Sequence, residues 1–494
     1  MKTAIAACLL LPSLCAAQHR PPAVSGLFYP ADPAELGRAV DNYLAEAPAP
    51  PKLPGPLLAL VVPHAGYEFS APVAAAGYRA VSGAYDAVVV FGTAHHMRVA
   101  AAALYAKGAF DTPLGPVPVD EVLAARLLKD PRLFQDEPQA HSKEHSVEVQ
   151  LPFLIKRLKP GWKLLPIIMN TEDLQVCLRV GQAVAAAIQG RKVLLVASSD
   201  LSHYPATTVA DKVDRATLKA LERLDPEYFR LANRIMLARG EPGLETAWCG
   251  EAGVIAAMAA ARSLGADRGV LIRYANSGYS PRGEAGRAVG YAAAAFVRSG
   301  KPPAPGIVLD AGQKWTLLAL ARQAVARGAA GLRPEPSLSA DPVLNLPAAV
   351  FVTLTEDGRL RGCIGTTEAR STLRDAVASA AYAAAFSDHR FQPVAPEEMP
   401  KLNFEISLLS PARPVLSQES VVPRRHGVIL SQGEHVGLFL PQVWDQLPAK
   451  EEFLGELCFQ KAGLPRNCWQ DPKTTIAVFT VSAFAEGKES GPQR

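Results

Sequence analysis

Three apolar runs in the first half of the chain end directly before loops that contain histidine. They cover residues 57–62, 87–91 and 192–197, and the loops that follow carry His64, the pair His95 and His96, and Asp200 with His203. Unbroken aliphatic runs of this kind are typical of strands buried on both faces of a parallel sheet. Since open α/β sheets place ligand sites at the carboxyl ends of their strands, the pattern predicts one site made from three strand ends.

The segments between these runs have the helical period, which gives an alternating order of strands and helices. Predicted helices cover 33–47, 71–82, 120–129, 144–156, 174–189, 209–223, 226–239 and 249–264, and further strands cover 164–169, 270–275 and 289–298. This order predicts an α/β fold, with a parallel or mixed sheet flanked by helices.

A Pro/Gly-rich segment at residues 300–310 separates this part from a second region with a different pattern. Its Gly-Lys-Pro-Pro-Ala-Pro-Gly run is typical of a linker. Beyond it, Asp357-Gly358 lies between two apolar segments, which predicts a β-hairpin. The remaining pattern, including a final strand at 475–484, predicts a smaller α+β domain over 311–486, with a tail at 487–494.

Charge and composition narrow the class of protein. The 494 residues carry a net charge of +4 without a long Lys/Arg block, so nothing in the sequence favours nucleic acid as a partner. Lys2, an apolar run at 4–14 and Cys15-Ala16-Ala17 form the pattern of a signal peptide over 1–17. This predicts export to the periplasm, with a cytoplasmic location as the alternative. No later stretch has enough uninterrupted apolar residues to span a membrane.

The strand ends and a cysteine form a candidate metal site. Imidazole and thiolate side chains such as those of His64, His95 or His96, and Cys249 are ligands for non-haem iron, copper or zinc. The alternative is that each histidine is an ordinary hydrogen-bonded loop residue.

Two further groups are candidates for acid–base work. Asp200 and His203 can orient a ligand or move protons in the same cleft, or Asp200 can simply cap a helix. His145 and Glu148, at i, i+3 spacing on a predicted helix, can face one site or form a solvated surface. Ser198 lacks the G-x-S-x-G context of a hydrolase nucleophile, so we discount that role.

The cysteines do not form an evident disulfide framework. Removal of the leader leaves an odd number at scattered spacing: Cys177, Cys249, Cys363, Cys458 and Cys468. Cys363 stands between glycines and beside Arg361, a cation that can activate a thiol nucleophile, with His389 as a conceivable neighbour. We favour the alternative, a small buried cysteine beside a β-bulge.

Six motifs occur in order along the first half. They are Ser25-Gly26-Leu27-Phe28-Tyr29-Pro30, Pro63-His64-Ala65-Gly66-Tyr67, His95-His96, Glu144-His145-Ser146-Val147-Glu148, Ser198-Ser199-Asp200 with His203, and Cys249-Gly250. Together they resemble the Memo family, and we assign 18–299 to a Memo-like domain. The resemblance implies a fold like that of the class III extradiol dioxygenases and a non-haem iron site. It implies His64, His95 and Cys249 as the metal positions, with Asp200 and His203 lining the pocket.

Motifs of the second half resemble the AMMECR domain family over 311–486. They are Leu360-Arg361-Gly362-Cys363-Ile364-Gly365, Phe386-Ser387-Asp388-His389-Arg390-Phe391 and Glu405-Ile406-Ser407-Leu408-Leu409-Ser410-Pro411. A fusion of both families resembles components of the AmmeMemoRadiSam system, which implies a radical-SAM protein as a partner. The resulting hypothesis is an Fe(II) redox protein, with copper or zinc as other metals, in which Asp200, His203 and His145 act on an unknown small molecule. The alternative hypothesis is a metal-holding scaffold without catalysis.

Overall fold

The structure, a computed structural model, describes residues 19–304 and 306–487. The predicted signal peptide at 1–17 and residues 488–494 of the predicted tail therefore lie outside the described residues. The chain divides into two compact units. The first contains the described residues up to His203 together with Trp248–Gly300, and the second contains Tyr204–Ala247 and the described residues from Lys301 onward.

The strands and helices are as follows. The strands up to residue 300 are β1 His19–Arg20, β2 Leu57–Val62, β3 Ala87–Thr93, β4 Ala102–Leu104, β5 Ala109–Phe110, β6 Val117–Pro118, β7 Phe134–Asp136, β8 Lys163–Met169, β9 Val193–Ser198, β10 Arg268–Asn276 and β11 Gly290–Val297. The later strands are β12 Pro347–Glu356, β13 Arg359–Gly365, β14 Ser371–Thr372, β15 Leu402–Leu409, β16 Arg413–Val415, β17 Gly427–Gln432, β18 His435–Phe439, β19 Thr475–Phe479 and β20 Val481–Ala485. The α-helices are α1 Pro33–Glu46, α2 Tyr67–Arg79, α3 Glu121–Leu127, α4 Pro138–His141, α5 Leu151–Arg157, α6 Leu174–Ala187, α7 Thr207–Leu221, α8 Pro226–Ala238, α9 Glu251–Ser263, α10 Ala311–Ala329, α11 Leu373–Phe386 and α12 Lys450–Glu456.

The first unit is built on a mixed eight-stranded sheet in the order β10-β11-β2-β9-β3-β8-β4-β7. Its centre, β2-β9-β3-β8, is parallel, and β11 and β4 pair antiparallel to its two outer strands. Helix α2 packs on β2, β10 and β11, while α9 packs on β2, β3, β8, β9 and β11 and against α6. The predicted α/β class with a mixed, helix-flanked sheet is confirmed.

The parallel centre explains why the apolar runs are unbroken. Every residue of β3 is buried, and alternate residues such as Val88 and Val90 contact the cluster of α1, α2 and α5. The intervening residues face α9, where a Cβ on Gly253 would lie 3.2 Å from the Phe91 carbonyl oxygen. With helices against both faces, neither set of side chains can be polar.

One helix of the prediction differs from the structure. The segment predicted as a helix at 144–156 is helical only from Glu148, as a 3-10 turn at Glu148–Gln150 followed by α5 Leu151–Arg157. His145 therefore lies in a loop. The reason is that the Glu144 side chain accepts backbone amide hydrogen bonds and holds an irregular turn, which the 3.6-residue period cannot reveal.

The second unit contains two antiparallel sheets. One has the order β13-β12-β15-β20 with β14 beside β12, and the other has the order β16-β19-β17-β18. Helices α10 and α11 pack together against the first sheet, and α12 packs against the π-helical turn Leu457–Ala462, which lies on the second. Helices α7 and α8 also belong to this unit, where the Tyr228 hydroxyl donates to the Pro347 carbonyl oxygen at 2.8 Å.

Local predictions in the second unit have mixed outcomes. The hairpin at Asp357-Gly358 is confirmed, and both residues have positive φ, 50° and 78°, as a tight turn between twisted strands requires. The single final strand predicted at 475–484 is wrong. It is two strands, β19 and β20, which join different sheets on either side of Thr480.

The cysteine prediction needs a correction. Cys458 and Cys468 form a disulfide, with their Cα atoms 6.0 Å apart, whereas the other described cysteines, Cys177, Cys249 and Cys363, are not in disulfides. The odd number of cysteines gave no sign of this pair. Counting alone cannot distinguish five unpaired cysteines from one disulfide with three cysteines left over.

Within the described residues, no helix is both long and apolar enough to cross a membrane.

Candidate metal centre

The parallel strands bring the predicted site residues to one edge of the large sheet. β2 ends two residues before His64, and β3 ends two residues before His95. β9 lies between these strands and ends at Ser198, in register with Val62 of β2. Cys249 precedes α9, which packs on the same strands. Adjacent parallel strands end at a common edge, so residues distant in sequence converge there.

Three histidines form the centre of this site. One ring nitrogen of each of His64, His95 and His145 lies within 4.8 Å of the others. The His95 and His145 rings stack at 4.7 Å between centroids, and both stand edge-on to His64 at 5.1 and 5.4 Å. Such a group of nitrogen donors is suited to a transition metal.

The tautomer of His64 is fixed by Ser198. The Ser198 hydroxyl donates its hydrogen to the Ser146 carbonyl oxygen at 2.6 Å, so it can only accept from His64 Nδ1 at 3.1 Å. The Gln150 side-chain amide also donates to the Ser198 hydroxyl oxygen, at 2.8 Å. His64 therefore carries its proton on Nδ1 and presents the lone pair of Nε2, as a metal ligand does.

Cys249 lies directly against that lone pair. Its Sγ is 3.2 Å from His64 Nε2 and also accepts from the Asp200 amide at 3.3 Å. Two ligands on one ion, at metal distances of about 2.1 Å for nitrogen and 2.3 Å for sulfur, lie about 3.1 to 3.6 Å apart at angles of 90 to 109°. The observed separation matches that of two ligands sharing one ion.

His95 is oriented by Glu144, a residue that we did not predict to have a role. Glu144 is buried, and it accepts from the His95 ring Nδ1 at 3.0 Å and from the His95 amide at 2.7 Å. It also accepts from the amides of His145 and Ser146. A carboxylate that accepts from a ring N–H fixes the tautomer of a ligating histidine. An acidic residue directly before His145 was the only signal in the sequence.

Asp200 and His203 lie beside His64. Asp200 Oδ1 accepts from the amides of His64 and Ala65, at 2.8 and 3.3 Å, and so fixes the loop after β2. His203 Nδ1 donates to the Leu201 carbonyl oxygen at 2.9 Å, which leaves Nε2 as the basic nitrogen of that ring. Both residues thus border the histidine group, with Asp200 in a positioning role.

Glu148 has neither of the two roles that we considered for it. It is fully buried and paired with Arg20, and it accepts from the amides of Ala23 and Val24 and from the Tyr29 hydroxyl. Arg20 also donates to the carbonyl oxygens of His141 and Glu144. The Arg20–Glu148 pair therefore holds the loop that carries Glu144 and His145 in place. The helical spacing of Glu148 could not reveal this role.

Burial sets the protonation of the donors. It lowers the pKa of His64 well below its usual value, assisted by the neighbouring histidines. Burial also lowers the pKa of His145 to about 4, against an opposing effect of Glu144. Both rings are therefore neutral at pH 7, the form that binds metals. Burial raises the pKa of the Cys249 thiol, so without a metal the sulfur keeps its proton, which it donates to His64 Nε2.

The Cys363 motif of the second unit is held by a separate network. Thr353 donates its hydroxyl to Cys363 Sγ at 3.3 Å, and Asp388 accepts from the Cys363 amide at 2.9 Å. Arg390 binds the Asp388 carboxylate through two nitrogens and donates to the Cys363 carbonyl oxygen at 3.2 Å. His389 is exposed. These bonds fix the strand around Cys363, and a nucleophilic role for its thiol stays a hypothesis.

Fold and site together define a mixed α/β protein with a histidine-rich candidate metal centre at the strand ends, joined to a second sheet-containing unit. The family model described as Memo-like protein matches residues 20–295, and the one described as AMMECR1 matches residues 318–484. The chain belongs to the Memo family and carries an AMMECR1 domain fused behind it.

Two relatives and one solved structure are similar to parts of this chain. A MEMO1 family protein of Methanopyrus kandleri is 37% identical over 290 residues, which is 57% of this chain and 99% of the relative. A MEMO1 family protein of Aquifex aeolicus is 34% identical over 261 residues, 52% of this chain and 92% of the relative. A solved structure of an uncharacterized protein from Pyrococcus horikoshii is 37% identical, covering 36% of this chain and 93% of that one, with a TM-score of 0.33.

Proposed function

We propose that the first unit is a metal-dependent redox protein that holds Fe(II) on His64, His95 and Cys249. The observation that carries this proposal is the 3.2 Å separation of Cys249 Sγ from His64 Nε2, because the His64 ring also belongs to the group of nitrogen donors with His95 and His145. Two imidazoles and one thiolate suit iron, and they also suit copper and zinc. Iron is our first choice among the three, and metal analysis distinguishes them.

The surrounding residues support a function beyond packing. Ser198 and Glu144 each fix a ligand ring by accepting its Nδ1 proton, an arrangement typical of metal sites. A bound Fe(II) would supply electron transfer and Lewis acidity at this position. His203, with Nδ1 bound to a backbone carbonyl, offers Nε2 to accept a proton from a substrate, and His145 is a second neutral base.

The experiment is metal analysis of the full chain, purified without oxygen. The proposal predicts about one iron per chain in the wild type, with strong loss in His64→Ala and in Cys249→Ala. Cys177→Ala is the matched control, because Cys177 is a buried cysteine of α6 that is not in a disulfide and lies outside the site. Wild-type protein without stoichiometric metal would reject the proposal. If Cys177→Ala lost as much metal as Cys249→Ala, the loss would reflect misfolding.

Oxygen uptake separates an enzyme from a scaffold. A redox enzyme loaded with iron consumes oxygen when a suitable reductant or catechol is added, and the rate falls in His203→Ala while the metal content stays at the wild-type level. Protein that binds stoichiometric metal but never consumes oxygen would instead be the metal-holding scaffold. The radical-SAM partner implied by the family resemblance stays a prediction, which co-purification with that protein would test.

Export is a separate part of the proposal. The Cys458–Cys468 disulfide supports an oxidising compartment, since structural disulfides are rare in reducing ones. The N-terminal sequence of the mature protein, recovered from a fractionated cell, decides between the periplasm and the cytoplasm.

A further inference from the structure

A second group of metal-type donors lies next to the centre and includes one exposed histidine, His96. One ligand atom of each of His96, Glu144 and His145 lies within 4.8 Å of the others. His145 belongs to this group as well as to the group with His64 and His95. His96 is not needed for the first group, and the proposed function gives it no role.

Solvent exposure differs strongly among the histidines of the two groups. His64 is only 2% exposed, whereas the side chains of His145 and His95 are 16% and 27% exposed. His96, one residue further along the loop, is exposed. An ion from solvent therefore meets the exposed residues His95 and His96 before it can reach His64. Metal ions lose bound water in steps, so a route with intermediate ligands is faster than direct entry to a buried site.

Glu144 has capacity for a cation in addition to its present hydrogen bonds, although its side chain is buried. Its Oε1 accepts from the ring of His95 and from the amides of His145 and Ser146. Its Oε2 accepts from the His95 amide. A carboxylate oxygen has two lone pairs, so Oε2 can bind a cation while it keeps that hydrogen bond. The carboxylate also adds a negative charge, which imidazole ligands do not supply.

We propose that His96, Glu144 and His145 form an outer loading site that captures a divalent metal ion and passes it to His64, His95 and Cys249. This inference rests on the proposed function, because it needs the inner centre as its destination. Transfer exchanges ligands without electron transfer. His145 keeps the ion while His64 and His95 replace His96 and Glu144. His145 is then released as Cys249 binds, and the Cys249 S–H bond breaks with its proton going to water.

The test follows Co(II) binding to the metal-free full chain by stopped-flow absorbance without oxygen. Co(II) bound to thiolate has an intense near-ultraviolet charge-transfer band, whereas Co(II) bound to nitrogen and oxygen shows only weak visible bands. The inner centre contains Cys249 and the outer site has no sulfur. We expect the visible bands of the wild type to rise first and the thiolate band to follow.

Variants on one exposed loop separate loading from final binding. His96→Ala should lose the early phase and form the thiolate band about tenfold more slowly, in line with the effect of a lost auxiliary metal contact. His96→Asp, which restores a ligand, should recover most of the rate. Arg98→Ala, an exposed neighbour, is the matched control and should behave as the wild type.

The two proposals fail in different ways. A thiolate band that forms at the same rate in the wild type, His96→Ala and Arg98→Ala would overturn the loading site and leave the inner centre intact. A wild type that never develops a thiolate band would overturn the inner centre itself. Equal slowing in Arg98→Ala and His96→Ala would also overturn the loading site, because a change in loop charge would then account for it.

Discussion

The pairing of Arg20 with Glu148 allows a quantitative test of how the site is held in place. Both side chains are buried, at 2% and 0% exposure. In Glu148→Gln, the Arg20 guanidinium would lose its counter-charge, and the new amide would direct a donor at groups that are themselves donors, such as the Ala23 amide or the Tyr29 hydroxyl.

The expected cost is large for a single substitution. Breaking a buried ion pair on one side costs about 3 to 5 kcal/mol, and a facing pair of donors adds about 1 kcal/mol. Such a loss is a large share of a typical stability of about 5 to 15 kcal/mol. Because Arg20 also binds the Glu144 carbonyl oxygen, the variant should bind metal more weakly than the wild type.

The loss in the free energy of unfolding can be measured by hydrogen exchange with mass spectrometry, over a series of urea concentrations, in peptides of β2, β3 and β9. Peptide resolution is needed because the chain has two compact units. Glu46→Gln, which changes an exposed carboxylate at the end of α1, is the control and should stay within about 0.5 kcal/mol of the wild type. A loss below about 1 kcal/mol in Glu148→Gln would refute this reasoning, because the buried charge would then have another means of compensation.

Three other predictions concern the hydrogen bond that orients His64, the close packing of Gly92 against Ser146, and the ion pair of Asp388 in the second unit. Ser198→Ala removes the acceptor of the His64 Nδ1 proton and should weaken metal affinity about 10- to 100-fold, as measured by competition with a chelator. The control, Ser82→Ala at an exposed position, should keep the wild-type affinity. Equal affinities in the two variants would contradict the prediction. Gly92→Ala places a Cβ 2.5 Å from Ser146 Oγ and should cost about 1 to 3 kcal/mol in urea unfolding, whereas Gly286→Ala, where a Cβ meets nothing within 4 Å, should not. The Arg390 guanidinium holds the pKa of Asp388 below its usual range, so the ionised Asp388 carboxylate stabilises the folded state. This stabilisation is complete above about pH 4 and is lost as the pH falls further. Asp388→Asn should therefore flatten the acid side of the unfolding profile of α11 and β13 peptides, and an unchanged profile would contradict this.

The sequence was most informative where one physical rule decides the structure. The unbroken apolar run of β3 could be stable only between two helical layers, and the structure places it at the sheet centre. The Asp357-Gly358 turn was predictable because few residues accept positive φ. The convergence of His64 and His95 followed from the rule on strand ends.

The residues that support the site were not predictable in the same way. Glu144 and Ser198 act through contacts with His95 and His64, which are 49 and 134 positions away in sequence. Arg20 and Glu148 are 128 positions apart, and nothing local marks them as partners. The choice between His95 and His96 could not be made from the pattern of the sequence either, because both follow the same strand.

X-ray absorption at the iron edge tests the central claim most directly. Full-length protein loaded with one Fe(II) per chain should show one sulfur ligand together with nitrogen ligands whose imidazole scattering indicates histidine. The sulfur signal should disappear in Cys249→Ala and persist in Cys177→Ala. An iron shell in the wild type without sulfur, or a sulfur signal that survives in Cys249→Ala, would contradict the assignment of His64, His95 and Cys249 as the metal centre.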